Sequence, residues 1–231
     1  MTGCGLDFGT SNSAIGVADT DGARLVPIED GRTLMPTAVF FDFTTRNRVM
    51  VGREGIEAYV DGIEGRLMRA LKTILGSPLI DEQTNVKFRK IALADVVAHY
   101  VSEMKTRAEV ACGHTLDSVV HRRPVHFVDG DDRADARAEN VLAKIAERAG
   151  FKHVSFEFEP IAAALDYEAK LAREELVLVV DIGGGTSDFT VIRLGPERRK
   201  RNDRKADILS TAGIRSGGTD YDRLLSIACV M

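Results

Sequence analysis

Two glycine-rich segments contain the residues of this chain that are best suited to chemistry. Each begins with an aspartate at the end of an apolar strand: Asp7-Phe8-Gly9-Thr10-Ser11-Asn12 near the start, and Asp181-Ile182-Gly183-Gly184-Gly185-Thr186 further on. Glycine and small polar residues let backbone N–H groups approach an anion, and hydroxyl groups add further donors. The pattern predicts two phosphate-binding loops, which could close on one phosphate chain from opposite sides.

The two strand-end aspartates imply a metal ion. Two carboxylates beside a phosphate would repel it unless a hard cation lay between them, and Mg²⁺ with retained water bridges carboxylate and phosphate oxygens in this way. We therefore expect binding to depend on Mg²⁺. Neither segment has the GxxxxGK[ST] pattern of a P-loop, and Gly3-x-Gly5 lacks the spacing of a dinucleotide-binding fold, so both of those nucleotide-binding classes are excluded.

Composition limits the other classes of function. The 231 residues include 31 basic and 35 acidic side chains, a net charge of −4, so no global basic field attracts nucleic acid or an anionic membrane. Cys4, Cys112 and Cys229 form no pair or metal-like grouping, which argues against disulfides and zinc and favours a reducing cytoplasm. Without a cationic leader or a bilayer-length apolar run, a soluble, unexported protein is expected.

One stretch runs against the acidic balance. Arg198-Arg199-Lys200-Arg201-Asn202-Asp203-Arg204-Lys205 is strongly basic and lies between two predicted strands, and we interpret it as a solvated hairpin tip. A nucleic-acid or protein partner at this stretch is the alternative. A single exposed loop on an acidic chain gives little grip on several phosphates, which favours the first interpretation.

The first half of the chain predicts strands followed by helices. Its opening is typical of a β-hairpin, and the β pattern continues at residues 25–28, 38–43 and 49–51. Gly62 and Gly65 divide the helical tendency of residues 56–75 into two short helices. Apolar spacing predicts amphipathic helices over residues 92–111 and 133–149, with a strand that contains Pro124 between them.

The second half repeats the architecture of the opening. The apolar run 176–180 predicts a strand buried on both faces, and strands at 188–194 and 207–212 and a helix from Asp220 follow the second loop. Two related half-domains are implied. The last residues are apolar helix without a cap or polar tail, so we expect the chain to stop within the second half-domain; the alternative is a natural end docked into the core.

Two further segments accompany the glycine-rich loops: Glu159-Pro160-Ile161-Ala162-Ala163-Ala164 and Gly217-Gly218-Thr219-Asp220-Tyr221-Asp222. With Gly5 to Ser13 and Asp181 to Asp188, they resemble in the same order four motifs of the DnaK-type (70-kDa heat-shock) family of the actin, sugar-kinase and heat-shock ATPase superfamily. Gly5 to Ser13 is similar to the family's first phosphate motif, and Asp181 to Asp188 to its second. The other two segments resemble its Asn-Glu-Pro-Thr-Ala-Ala-Ala and its Gly-Gly-Glu-Asp-Phe-Asp, respectively. The N-terminal motifs diverge from the family's usual residues, and in this they resemble the YegD-like branch.

The resemblance implies a fold and a division of the chain. The fold class would be α/β, with a ribonuclease H-like (actin-like ATPase) fold in which one lobe is nearly complete and the second is truncated. Residues 1–182 would form the first lobe, with an inserted subdomain at about 33–113, and residues 183–231 the start of the second lobe.

The resemblance also implies the site. Its ligands would be ATP or ADP with Mg²⁺. Phosphate and nucleotide contacts are expected from Gly9, Thr10, Ser11, Asn12, Gly183, Gly184, Gly185, Thr186, Gly217 and Gly218. Metal binding is expected from Asp7, Asp181 and Asp188, and catalytic roles from Lys72, Glu159, Asp181 and Thr186.

Two positions that resemble the family's residues have surroundings that differ from the family pattern. Lys72 resembles the family's catalytic lysine, whose cation would stabilise charge developing on the γ-phosphate, but Thr73 stands where the family has arginine. Pro124 matches a proline that couples nucleotide state to domain movement in the family. Its partner arginine here could be Arg133 or Arg137.

The expected function is slow, Mg²⁺-dependent ATP hydrolysis by a chaperone module, with unfolded polypeptide or co-chaperones as partners of the full-length protein. The chain alone is expected to be weakly active or inactive. A sugar or small-metabolite kinase on the same fold is the alternative, although residues 13–16 lack the arginine that such kinases carry after the first loop. An actin-like filament subunit is a third possibility.

Overall fold

The computed structural model describes residues 2–19, 22–45, 48–127, 130–214 and 216–229. The chain divides into two compact units: Met1–His121 with His126–Phe156, and Arg122–Val125 with Glu157–Met231. The predicted lobes divide at residue 182. The two divisions differ because the helix and strand just before that residue pack with the strands that follow it. The lobe assignment itself stays a prediction.

Five helices are interspersed among fourteen strands in the described residues, and several strands follow one another directly. In order, the strands are β1 (Gly3–Phe8), β2 (Asn12–Asp19), β3 (Gly22–Leu25), β4 (Leu34–Pro36), β5 (Ala38–Asp42), β6 (Val49–Val51), β7 (Gly65–Arg69), β8 (Gln83–Val86), β9 (Arg89–Ala92), β10 (Ser118–Arg123), β11 (His153–Phe158), β12 (Glu175–Ile182), β13 (Ser187–Leu194) and β14 (Ile208–Ile214). The helices are α1 (Arg53–Val60), α2 (Leu93–Cys112), α3 (Asp132–Arg148), α4 (Glu159–Ala169) and α5 (Gly218–Cys229). Short 3-10 helices lie at Leu71–Ile74, Pro78–Asp81 and Lys205–Asp207.

The largest sheet of the first unit fixes the start of the first glycine-rich loop. Its strand order is β11-β10-β1-β2-β3, with β4 also paired to β2; β1 is parallel to β10 and antiparallel to β2. Cys4, Leu6 and Phe8 alternate into the core, where the Phe8 and Tyr100 rings lie 5.8 Å apart. This alternation holds the end of β1 in register and confirms the predicted opening hairpin.

Residues 56–75 differ from their prediction. Helix α1 ends at Val60, and β7 with a short 3-10 helix takes the place of the second predicted helix. The reason is tertiary: β7 pairs with β5, and at Gly65 a side chain would meet the Phe40 ring and the Phe41 carbonyl. Gly65 therefore permits a close strand pairing and does not act as a helix breaker.

Strand β12 also differs from its prediction. Its residues alternate between half-buried and exposed, and Leu176 and Ile182 are 67% and 64% exposed. The opposite face packs with Ile161 of α4 and Ile192 of β13. In the described residues, the sheet β12-β13-β14 thus has one covered face and one exposed apolar face.

The basic stretch at residues 198–205 connects the antiparallel strands β13 and β14, as the predicted hairpin requires, but it is only partly solvated, which corrects its interpretation as a fully solvated tip. Arg199, Lys200, Arg201 and Lys205 are exposed, whereas Arg204 is 4% exposed. The Arg204 guanidinium donates to both oxygens of Glu168, at 3.0 and 2.9 Å, and to Asp207 at 2.5 Å. Arg198 pairs with Asp207 as well. The stretch therefore anchors β13 and β14 to α4.

None of the helices in the described residues is long and apolar enough to cross a membrane. The three cysteines are free thiols, and burial raises the pKa of Cys4 to about 12, so this thiol stays protonated at neutral pH.

Candidate functional site

The first glycine-rich loop connects β1 to β2 in a very tight turn. A side chain on Gly9 would collide with the backbone oxygen of Asn12, so only glycine fits at this position. The Gly9 N–H donates to the buried Ser13 hydroxyl at 3.3 Å. Gly9 therefore allows the close approach of the two strands, and its N–H is used inside the first unit.

Thr37 lies behind this loop, between β4 and β5, and holds two of its carbonyl groups. Its hydroxyl donates to the Gly9 carbonyl at 2.8 Å, and its N–H donates to the Ser11 carbonyl at 2.9 Å. In a planar trans peptide the next N–H points opposite to the carbonyl. The N–H groups of Thr10 and Asn12 therefore point away from Thr37.

The second glycine-rich loop connects β12 to β13 and is closed by its own backbone. The Gly183 N–H donates to the Thr186 carbonyl at 2.8 Å. Gly217 lies against the loop so closely that a side chain there would approach the Gly183 oxygen to 2.6 Å and the Gly185 nitrogen to 2.7 Å. The predicted Gly217-Gly218 pair is thus brought to the second loop, which it supports from behind.

The carbonyl groups of the second loop are held in the same way as those of the first. The Gly218 N–H donates to the Gly183 carbonyl at 3.0 Å. The Gly184 carbonyl accepts from both the N–H and the hydroxyl of Thr219, at 2.9 and 2.6 Å. By the same peptide geometry, the N–H groups of Gly184 and Gly185 point away from this support. In each loop, carbonyl groups therefore accept hydrogen bonds from residues behind the loop. The N–H groups of the same peptides point away from those residues, and we call them outward N–H groups.

Two of the predicted acidic residues are neighbours in the second unit. Asp181 and Asp188 are directly paired across β12 and β13. Like charges in this relation repel each other, so the pair favours a cation between or beside them. Asp188 accepts from the Thr186 hydroxyl at 2.7 Å, and Asp181 lies 3.7 Å from the Arg122 guanidinium.

The remaining predicted residues lie on separate elements. Asp7 is half-buried in β1, where it pairs with Ala14 of β2. Lys72 is half-buried in the 3-10 helix Leu71–Ile74 of the first unit, and Glu159 begins α4 in the second. No three His, Cys, Asp or Glu residues of the described chain form a metal-binding group. A metal held through only one or two carboxylates and retained water is compatible with this arrangement and is typical of Mg²⁺.

Sequence reasoning missed the residues that support the loops. Thr37 and Thr219 lie 28 and 35 residues from the loop carbonyls that they bind. Arg122, which lies beside Asp181, is a third residue that the sequence motifs do not indicate. A single hydroxyl carries no periodic signal, and its position behind a loop depends on strand pairing that the sequence does not reveal.

The chain is similar to known proteins over nearly its full length. The model of the family described as Hsp70 protein matches residues 3–230. Over 225 residues the chain is 31% identical to the Chaperone protein DnaK of Endomicrobium trichonymphae. The aligned residues cover 96% of this chain and 34% of that protein. The Chaperone protein DnaK of Elusimicrobium minutum is 28% identical with the same coverage.

A second kind of chaperone is also similar. The Chaperone protein HscA homolog of Rickettsia felis is 28% identical over 203 residues, or 82% of this chain and 30% of that protein. The chain therefore spans about a third of the length of the curated relatives it matches.

Proposed function

Because this chain belongs to the Hsp70 family, we propose that it forms the phosphate- and Mg²⁺-binding part of the ATPase module of a DnaK-like molecular chaperone. Membership of the family confirms the resemblance carried by the four motifs, and the α/β actin-like ATPase fold that it implied. The YegD-like branch stays a prediction. Hsp70 proteins bind nucleotide, and the ligands proposed for this chain are ATP and ADP with Mg²⁺.

The arrangement of the second loop is the observation that supports this proposal best. Its two carbonyls at Gly183 and Gly184 accept hydrogen bonds from the residues behind the loop, so the N–H groups of Gly184 and Gly185 point away from those residues. Successive outward N–H groups form a concave anion site. A phosphate group is the anion that such a loop suits, and the first loop repeats the arrangement with the N–H of Thr10.

The acidic residues are suited to the accompanying metal. Asp181 and Asp188 lie on neighbouring strands, and Asp7 closes the strand that leads into the first loop. Bound Mg²⁺ would neutralise phosphate charge and stabilise the charge that develops during transfer. We propose that the carboxylates hold its water shell, since carboxylates and retained water are the usual ligands of this ion.

The catalytic roles follow from residue chemistry. Lys72 would place a cation near the γ-phosphate, where it stabilises developing charge. Thr186 is held by its hydroxyl bond to Asp188 and would lie near the attacking water. Glu159, at the first turn of α4, and Asp181 would orient that water and accept its proton.

The whole protein's activity and partners extend the same proposal. We propose a slow ATPase whose nucleotide state controls the binding of unfolded polypeptide, in the cytoplasm, with co-chaperones as regulators. With a net charge of −4 and no described membrane-spanning helix, nucleic acid and membranes are not among the proposed partners.

Calorimetric titration of the 231-residue chain with ADP, with and without Mg²⁺, tests the site. We expect weak binding that requires Mg²⁺. Gly217→Ala should weaken it at least about tenfold, because the added methyl would displace the carbonyl of Gly183 and the N–H of Gly185. Gly5→Ala is the matched control, since nothing lies within 4 Å of its added carbon.

Each outcome of the titration either supports or contradicts the proposed phosphate site. Loss of binding in Gly217→Ala with retention in Gly5→Ala supports the second loop as the phosphate site. Absence of binding at millimolar ADP, or binding that is the same without Mg²⁺, would contradict the proposed function. Equal binding by both variants would remove the second loop from the site.

A further inference from the structure

Thr37 closes a ring of hydrogen bonds behind the first loop. Its hydroxyl hydrogen goes to the Gly9 carbonyl, 2.8 Å away. The Ser13 and Thr37 hydroxyl oxygens are also 2.8 Å apart, so Ser13 must be the donor in that bond. Ser13 in turn accepts from the Gly9 N–H. The ring therefore engages both polar backbone atoms of Gly9 through two side chains that are each 1% exposed.

The ring fixes the direction of one peptide group. If the peptide between Gly9 and Thr10 turned over, its carbonyl oxygen would lie where its N–H now points, and an anion there would meet a negative dipole. A glycine has little steric resistance to such a rotation. The hydroxyl of Thr37 supplies the resistance that glycine lacks, because rotation would leave buried hydrogen-bonding groups unsatisfied.

A second layer holds Thr37 itself. The hydroxyl of Tyr100, on α2, lies 3.2 Å from the Met35 carbonyl and 3.0 Å from the Pro36 carbonyl, which immediately precede Thr37. Tyr100 is fully buried, and burial raises its pKa to about 12, so its hydroxyl stays protonated and remains a donor at neutral pH.

A third contact fixes the start of the same segment. The Arg53 side chain donates to the Leu34 carbonyl at 2.8 Å and pairs with Glu29, which is 7% exposed. The successive carbonyls of Leu34, Met35 and Pro36 therefore all accept hydrogen bonds from Arg53 or Tyr100. Thr37, the next residue, binds the first loop.

We propose that Thr37 is a positioning residue for nucleotide binding, which orients the N–H of Thr10 toward phosphate by holding the Gly9 carbonyl, and that Tyr100 holds Thr37 in place. This proposal rests on the proposed function of the first loop. It assigns no chemical step to Thr37, whose hydroxyl is turned to the carbonyl behind the loop.

The test compares Thr37→Val, which removes the hydroxyl at nearly constant volume, with Thr37→Ser, which keeps it. Binding of Mg²⁺ with ADP by the 231-residue chain is measured by calorimetry. Amide hydrogen exchange at Thr10 is measured with and without the ligand. We expect Thr37→Val to weaken binding about tenfold, the scale of one buried hydrogen bond, and to abolish the protection of Thr10 by ligand. Thr37→Ser should stay within about twofold of the parent in affinity.

A variant at Tyr100 keeps the proposal testable if Thr37→Val does not fold. Tyr100→Phe retains the buried ring and removes only the hydroxyl, and we expect it to weaken binding about threefold. If Thr37→Val, or Tyr100→Phe in its absence, binds as tightly as the parent, the proposal is wrong. If the parent itself binds no nucleotide, the proposed function has failed, and amide exchange at Thr10 in the free variants still decides whether Thr37 orders the loop.

Discussion

Replacing Arg204 by Met removes the central cation of the buried ion network in the second unit. Arg204 makes two hydrogen bonds to Glu168 and one to Asp207, and these carboxylates are 1% and 0% exposed. Removing one partner of a buried pair costs about 3–5 kcal/mol, because it leaves charge buried without compensation. We expect the lower end, about 3 kcal/mol, since Arg198 still pairs with Asp207 and the Gly195 N–H with Glu168.

Hydrogen exchange at peptides covering β13 and β14, followed through urea, measures the free energy of unfolding of this unit. The matched control is Lys200→Met, which removes a pair in which Lys200 and Glu197 are 64% and 82% exposed. Its loss should be far smaller than that of Arg204→Met, because an exposed ion pair contributes little to stability. A loss below about 1 kcal/mol in Arg204→Met, or one equal to the control, would refute the role assigned to this network.

The same network predicts the direction of a pH effect. Burial raises the pKa of Asp207, but hydrogen bonds from Arg204 and Arg198 outweigh it and leave the pKa below its ordinary value. A carboxylate whose pKa is lower in the folded state stabilises the unit at pH values above its unfolded-state pKa of about 4. This contribution is lost as the pH falls through the folded-state pKa. The difference in stability between the parent and Arg204→Met should therefore shrink between pH 7 and pH 3.

Two further predictions concern the site. Lys72→Ala in the full-length protein should slow ATP turnover about 10²-fold, which is the scale of losing one preorganised charge. The affinity for ADP should be nearly unchanged. Single-turnover rates equal to those of the parent would remove Lys72 from the mechanism. Arg122→Gln should strengthen Mg²⁺ binding about threefold or more, because the substitution removes a cation 3.7 Å from Asp181. A Mg²⁺ titration with ADP present measures this affinity, and equal or weaker binding than in the parent would contradict the prediction.

Periodic segments were predictable from the sequence because their own residues specify them. Helix α2 repeats apolar residues at helical spacing over twenty positions, and the prediction over residues 92–111 is confirmed by Leu93–Cys112. The helix predicted at residues 133–149 is likewise observed as Asp132–Arg148, with Asp131 as its N-terminal cap.

Other features depend on partners that the sequence does not specify. The apolar run in β12 predicts full burial, but only the element packed on each face decides which of its residues are covered. Arg204 looks like a surface residue until Glu168, 36 residues away, is brought beside it. Gly65 looks like a helix breaker until Phe40 lies against it.

The candidate site was predictable in its residue types and not in its supports. Glycines after strand-end aspartates indicate anion loops by themselves, because their chemistry is local. Which carbonyls are tied back, and hence which N–H groups are presented, is decided by Thr37 and Thr219 from other parts of the chain. The sequence therefore indicated Gly9 as a phosphate contact, whereas its N–H is engaged by Ser13.

Amide hydrogen exchange of the 231-residue chain, with and without Mg²⁺ and ADP, tests whether the outward N–H groups of the two loops bind phosphate. Ligand should slow exchange at the N–H groups of Thr10, Gly184 and Gly185. Exchange at Gly9 and Gly183 should be unchanged, because their N–H groups already donate to Ser13 and Thr186. Protection at Gly9 and Gly183 without protection at the outward groups would show that the outward groups do not bind the ligand.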